Sequence, residues 1–471
     1  MDNMKKSGSE VSLDSAVSVK TENINATDGE SKVKLVFGLL KKLVGVKDIS
    51  AMRLSLPASL LEPESNLEFW NYMDRPDYFI AIPDGQTPLE RMLRVVRWWF
   101  AKDTKWKDQR LRKPYNSVLG ERFCCWWDVP VDAAVAAGGK VVGAGGEAPS
   151  SASQPSSLAS STASASVQPP NTTPLPSAAP GAAAAASALK VTCVTEQISH
   201  HPPVSAYYYE CKEKGIVGRG VDHIAARFTG TNIKVGPGSQ NQGIFITLQT
   251  HSNEEYNIQH PWASVTGWLS GSPYVIVGER AVITCPRSGL KCVLEYKDEP
   301  TFGKPRFAIE GKVFTYDYAA DAALSEKERK DREKIGKIPD ASVVARLTGQ
   351  WNGQIHVTVG NAAQRLLFDM GESKAAVKQT LPLADQHPME SRRIWQKVTT
   401  ALLAKDSNTA TDEKRVIEER QRKEAAELEV AGKSFDSFYF EFKGPRDAKP
   451  GPPVNMDVGK PYLKEGRGAV V

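Results

Sequence analysis

The chain is poor in the residues that usually announce chemistry. Its 471 residues include only six cysteines and seven histidines. Cys124 and Cys125 are adjacent and no C-x-x-C occurs, which excludes zinc ribbons and thioredoxin-type redox sites. Reduced thiols in a cytosolic protein are the simplest reading. No apolar run reaches the roughly 18 residues that a membrane-crossing helix needs. The start, MDNMKKSGSEVSLDS, has no apolar core of a secretory signal. Any membrane contact is therefore expected to be peripheral. No G-x-G-x-x-G leads from a strand into a helix and no Walker A sequence occurs, so nucleotide-binding folds are excluded. G-x-S-x-G and H-E-x-x-H are missing as well.

What is present fits a globular protein, with 41% hydrophobic and 24% charged residues. A net charge of +5 suits an acidic lipid surface or a phosphorylated ligand. Residues 1–31 are polar and read as disordered. In residues 32–50, Val36, Leu39, Leu40 and Leu43 fall at helical spacing with Lys41 and Lys42 on another face. This basic amphipathic helix can pack, lie on a membrane, or close a cavity. Residues 51–132 read as helices with aromatic anchors, ending in a strand at Arg122–Asp128. Residues 133–188 are Ala/Ser/Pro/Gly-rich and nearly uncharged, which predicts a disordered insertion. The strand-like stretches RFCCWWDV and LKVTCVT can pair across it, because closure entropy grows slowly with loop length.

Residues 189–370 hold many short strands separated by Gly, Pro, Asn and Asp, which predicts a large antiparallel sheet or barrel. Residues 371–443 return to helix. HPMESRRIWQKVTTALLAKD is amphipathic, and a long charged helix follows that ends at Gly432. Residues 444–471 read as an irregular tail.

The histidine pair in TEQISHHPPVSAYYYE draws attention. Adjacent residues in extended chain point to opposite faces, so one metal ion is hard for both to reach. Ser199 beside His200 precedes a Pro-Pro turn rather than a strand-to-helix elbow. A structural turn fixed by Pro202 and Pro203 remains open, as does an anion site in which His200 and His201 donate hydrogen bonds. Lys414, Glu418 and Arg422 share one helical face, either as a solvated salt-bridge ladder or as phosphate ligands. Lys113, in RKPYN, is a third cationic candidate. Pattern alone does not join these segments.

EQISHHPPVSA at Glu196–Ala206 resembles the signature EQVSHHPP of the oxysterol-binding protein family, with Ile198 in place of Val. KPYNSVLGE at Lys113–Glu121 is similar to the family's KPxNPxLGE, with Ser117 at the second proline. GQWNG at Gly349–Gly353, ESRRIW at Glu390–Trp395 and IEERQR at Ile417–Arg422 follow in the family's order. The resemblance spans about residues 33–443.

It implies an α+β fold. A large incomplete antiparallel β-barrel would enclose a lipid tunnel, with an N-terminal lid over Val36, Leu39, Leu40 and Leu43 and a C-terminal helical subdomain. It implies phosphatidylinositol 4-phosphate as ligand, its headgroup held by Lys113, Asn116, His200, His201, Lys414, Glu418 and Arg422. It also implies exchange for a second lipid, phosphatidylserine or a sterol. The stretch WWFAKDTKWKDQR lacks the Gln-Tyr pair of sterol-binding yeast members, which tilts the reading to phosphatidylserine. No bond is made or broken, so no enzyme, metal or cofactor is implied. A cytoplasmic monomer without nucleic-acid partners is expected. It would associate peripherally with membranes, including endoplasmic reticulum contact sites. A phosphoinositide sensor or scaffold without net transport is the alternative.

Overall fold

The strand-forming segments pair into one sheet of 14 strands, and every strand pair in it is antiparallel. The structure is a computed structural model that describes residues 61–108, 112–137, 188–229, 232–267, 274–300, 304–442 and 449–451. The proposed lid residues Val36, Leu39, Leu40 and Leu43 lie outside the described residues. So do residues 138–187 of the Ala/Ser/Pro-rich stretch.

Short helices α1 (Asn66–Phe69) and α2 (Pro76–Ile80) precede α3 (Pro88–Ala101). Thr87 caps α3 by accepting from the Glu90 N–H, and Pro88 sits in the first turn, where a missing N–H costs nothing. Ten of its 14 residues are buried, so α3 is an internal helix. The Arg91 guanidinium makes two 2.8 Å bonds to the buried Glu254 carboxylate, which gives each buried charge its partner.

Strand β1 (Arg122–Pro130) runs straight into α4 (Val131–Ala137). Residues 133–137, expected in the insertion, are therefore ordered helix. Ala134 and Ala137 are buried, and the Ala137 carbonyl accepts a 2.7 Å bond from Arg97. Beyond the gap, β2 (Ala188–Ser199) pairs with β1 over nine positions, from Arg122↔Glu196 to Pro130↔Ala188. The two strands do meet across the insertion, as their sequences predict.

The sheet continues through β3 (Val204–Cys211), β4 (Ile216–Phe228), β5 (Ile233–Pro237), β6 (Ile244–Leu248), β7 (Glu254–Gln259) and β8 (Trp262–Thr266). It then runs through β9 (Tyr274–Cys285), β10 (Leu290–Tyr296), β11 (Ala308–Thr315), β12 (Val343–Gln350), β13 (Gln354–Val359) and β14 (Arg365–Asp369). Ile216–Phe228, IVGRGVDHIAARF, forms the single strand β4 although two glycines stand inside it. The glycines are packing positions rather than breaks. A Cβ at Gly220 would lie 2.3 Å from the Tyr207 hydroxyl, and one at Gly218 would lie 3.1 Å from the Tyr209 ring. Strands β5, β8, β12 and β14 were not foreseen. Neither were α5 (Tyr318–Ala322) and α6 (Glu326–Arg332), which interrupt the barrel segment. The Ser325/Glu328 capping box was the sequence signal of α6. Buried Lys291 fastens this excursion through Asp321 at 3.0 Å and Glu333 at 2.7 Å.

One apolar cluster joins inward residues of the first strand (Phe123, Cys125, Trp127), of the last (Phe368) and of α3 (Met92, Val95, Trp98). The sheet is thus rolled around α3, and among the described residues β1 and β14 do not pair with each other, which leaves it open. The outer edge of β1 is covered instead by Gln379 and Met389, through backbone bonds of 2.8–3.0 Å. Helices α7 (Ser391–Ile394), α8 (Gln396–Leu403) and α9 (Ser407–Val430) follow, and α9 ends at Gly432 in the left-handed region, φ +62°. No helix among the described residues is long and apolar enough to cross a membrane.

Candidate functional site

The loop Lys113–Glu121 is held from all sides. Tyr115 exchanges backbone bonds with the segment at Glu64–Asn66, and its ring stacks on Trp395 at 4.6 Å. The Glu121 carboxylate, fully buried, accepts from the hydroxyls of Ser65 and Ser391, the Trp395 indole and the Val118 N–H. Burial pushes this carboxyl up, and the four donors oppose that shift. The Gly120 N–H donates to the Gln197 carbonyl, and the Gln197 N–H donates to that of Glu121, both at 2.9 Å. Gly120 has φ +74°, a conformation that favours glycine.

These ties bring the three cationic segments together. The Lys113 ammonium donates to the Asn116 side-chain oxygen at 2.7 Å and to the Pro114 carbonyl at 3.0 Å. His200 Nδ1 lies 2.9 Å from the Ser117 carbonyl of the same loop. A carbonyl only accepts, so Nδ1 carries the proton. The His200 and His201 rings meet edge to face with centroids 4.4 Å apart. In α9, Lys414 is buried and paired with Glu418. One turn further on, the Gln421 side-chain oxygen accepts from the Leu119 N–H, which fixes α9 against the loop.

Burial pulls the Lys113 ammonium down to about 8, and the nearby Lys414 charge pulls it further the same way. Two cations held close enough to repel each other describe a site that gains by receiving an anion. Lys113, Asn116, His200, His201, Lys414 and Glu418 thus occupy one region. Arg422 is exposed, next to Gln421. Ser117 and Gln421, which join the pieces, were not foreseen, although both stand inside the quoted motifs. Their contribution is a backbone carbonyl and a side-chain oxygen aimed at a backbone N–H, which residue type does not reveal.

The Ser199 hydroxyl donates to the Pro202 carbonyl at 2.8 Å. Its single proton is committed there, so Ser199 and His200 are not arranged as nucleophile and base.

A second polar group lies on the inner side of the barrel. Tyr72 bonds Asp222, which also accepts from Asn241 at 3.3 Å. Lys102 pairs with Asp103 and stands over the Trp99 ring at 4.2 Å. Burial raises the Asp222 carboxyl to about 7. Burial also lowers His260 to about 3, helped by Lys102. The hydroxyls of Tyr207 and Tyr209 are buried without a hydrogen-bond partner among the described residues.

Comparison with known proteins gives a consistent picture. A family model described as oxysterol-binding protein matches residues 35–328. Oxysterol-binding protein-like protein 1 of Schizosaccharomyces pombe is 35% identical over 484 residues, covering 93% of this chain and 91% of that protein. The chain spans about half the length of two human oxysterol-binding protein-related proteins, at 28% identity. The Osh1 ORD domain solved in complex with ergosterol superposes with a TM-score of 0.57 at 18% identity, covering 88% of this chain and 86% of that one. The Osh3 ORD of Saccharomyces cerevisiae, solved in complex with PI(4)P, gives 0.57 at 14% identity, covering 88% and 89%. At such identities the likeness shows the fold.

Proposed function

The chain belongs to the oxysterol-binding protein family, and on that premise we propose that it carries lipids between membranes. It takes phosphatidylinositol 4-phosphate and a second lipid, phosphatidylserine or a sterol, in turn. The observation that carries this reading is the meeting of three basic segments from distant parts of the chain. The His200–Ser117 and Leu119–Gln421 bonds hold them together, close enough that the Lys414 charge is felt at Lys113.

In this reading Lys113, His200, His201, Lys414 and Arg422 neutralise the phosphates. Arg422 can do so bidentately and Lys414 as a point charge. Asn116 and Glu418 bond inositol hydroxyls or phosphate oxygens. The headgroup would displace Glu418 from part of its hold on Lys414, exchanging one anion for another. The acyl chains enter the barrel. Each buried methylene contributes about 0.8 kcal/mol, so two chains offset the loss of the bilayer. Binding of the two lipids is mutually exclusive, so a phosphoinositide gradient can drive the second lipid uphill. No covalent step is involved. The protein works as a peripheral, cytoplasmic monomer at apposed membranes.

Mass spectrometry of lipids extracted from vesicles holding a defined mixture tests this. Recovery of phosphatidylinositol 4-phosphate together with phosphatidylserine or sterol in the protein fraction is expected. Recovery of neither sinks the reading.

A further inference from the structure

The two halves of the proposed headgroup site lie on different elements. His200 and His201 sit at the turn of the β2–β3 hairpin, and Lys414 and Glu418 sit on α9. The chain that leaves α9 does not drift away. After Gly432 it turns back and lies along the outer face of that same hairpin.

Glu196 receives it. In β2 this residue stands opposite Arg122 and Ala206 and on the same face as Val194. That is the outer face, where a carboxylate would ordinarily meet water, yet Glu196 has 0% exposure. The cover is the segment from Lys433 to Phe442. The Glu196 carboxylate accepts the Ser437 hydroxyl at 2.6 Å and the N–H groups of Phe438 and Tyr439 at 2.9 Å each. Ser437 in turn accepts from the Phe440 N–H at 3.0 Å. The Arg122 guanidinium, 3.8 Å from Glu196, lies over the Phe438 ring at 3.7 Å. Tyr439 and Phe440 are buried against Val194, Val204, Ala206 and Tyr208 from both arms of the hairpin. Further back, the Phe435 ring packs over Gly120, 3.1 Å from where a Cβ would stand. The segment has no regular secondary structure, so these side-chain contacts hold it.

We infer that residues 433–442 form a latch, with Glu196 as its keeper, that ties α9 back to the histidine hairpin and so fixes the separation of the two halves of the headgroup site. Glu196 is then a positioning residue. It stands four residues before His200, and its carboxylate is spent on the latch. This rests on the phosphoinositide reading given above for its consequence in binding, though not for the mechanical coupling itself.

Glu196→Gln tests it. An amide has one accepting oxygen and one donating nitrogen, so it cannot take all three donors, and its NH2 would face an N–H or a hydroxyl. In the full chain without lipid, hydrogen exchange should rise in residues 433–442 and also in α9 around Lys414 and at the 200–203 turn. Extraction of phosphatidylinositol 4-phosphate from vesicles should fall about tenfold, as loss of hydrogen bonds to a charged group implies. Uptake of the second lipid should hold, and the melting temperature should fall by only a few degrees. Ser437→Ala removes one donor only and should give an intermediate result, which keeps the test open if E196Q folds poorly. The inference is overturned if residues 433–442 stay protected in E196Q. It is also overturned if they open while α9 and phosphoinositide extraction are unchanged, or if both lipids and the melting temperature are lost together. Failure of the unmodified protein to extract the phosphoinositide would instead sink the functional reading, and the exchange data would still decide the latch.

Discussion

His200 Nδ1 donates to the carbonyl of Ser117 at 2.9 Å, across 83 residues of sequence. This bond joins the two motifs that sequence similarity marks separately, KPYNSVLGE and EQISHHPP. It also selects one imidazole tautomer, with the proton on Nδ1.

Replacing His200 and His201 together with Ala should cut phosphatidylinositol 4-phosphate extraction at least about tenfold, since hydrogen bonds from ionised groups are the strong ones. Second-lipid uptake should persist in part. Vesicle sedimentation with each lipid separately checks this. Equal loss of both would mark the pair as structural.

Lys113 is charged at a cost to folding. Its folded pKa of about 8 lies below the ordinary 10.5, so the unfolded chain binds more protons between these values. Its contribution to stability therefore rises with pH across that window and is most unfavourable below it. Lys113→Met should stabilise the protein near neutral pH by on the order of 1 kcal/mol while abolishing phosphoinositide extraction. The stability gain should shrink in alkaline buffer. In the unmodified protein, extraction should weaken as pH rises through about 8, where Lys113 discharges. Thermal melts and extraction at matched pH values check both signs.

Glu121 collects four donors from three parts of the chain. Glu121→Ala leaves them unpaired in the interior, and a loss of about 3 kcal/mol is expected. Both lipids should be affected, which separates this residue from Glu196. Denaturant unfolding gives the number.

Asp222 titrates near 7 against an ordinary 3.8, so the folded state holds its proton over a range where the unfolded state has lost it. Its contribution to stability is full at acid pH and is lost as pH rises through about 7. Glu390, raised to about 7 by burial, acts in the same direction. Asp222→Asn should flatten the fall of melting temperature across this window, leaving the part due to Glu390. An unchanged slope would show that Asp222 does not titrate there.

Joining Ala137 to Ala188 by a short Gly/Ser linker should leave the fold intact. The nine paired positions of β1 and β2 and the buried Ala134 and Ala137 all lie in the described residues on either side of it. Circular dichroism and a melting temperature within a few degrees of the parent are expected, as loop-length changes cost little.

The barrel was legible in the sequence because its strands alternate and are punctuated, and the pairing of RFCCWWDV with LKVTCVT followed from the same pattern. What escaped is instructive. Gly218 and Gly220 look like breaks in β4 but make room for Tyr207 and Tyr209, a fact about a neighbouring strand. The helix at 326–332 carries a local signal, the Ser325/Glu328 box, that the surrounding strands outweighed. In the site, charged residues at motif positions were visible. Their meeting was not, because it rests on the Ser117 carbonyl, on Gln421 and on buried Glu121 and Glu196. The last two look like surface charges in a one-dimensional reading.

Exchange of a phosphoinositide for a second lipid by one barrel is measured directly as transfer between two vesicle populations. One holds labelled phosphatidylinositol 4-phosphate and the other holds phosphatidylserine or sterol. Phosphoinositide should move in one direction and the second lipid in the other, and omitting either should slow its counterpart. Binding to the vesicles with no movement of either lipid would contradict exchange.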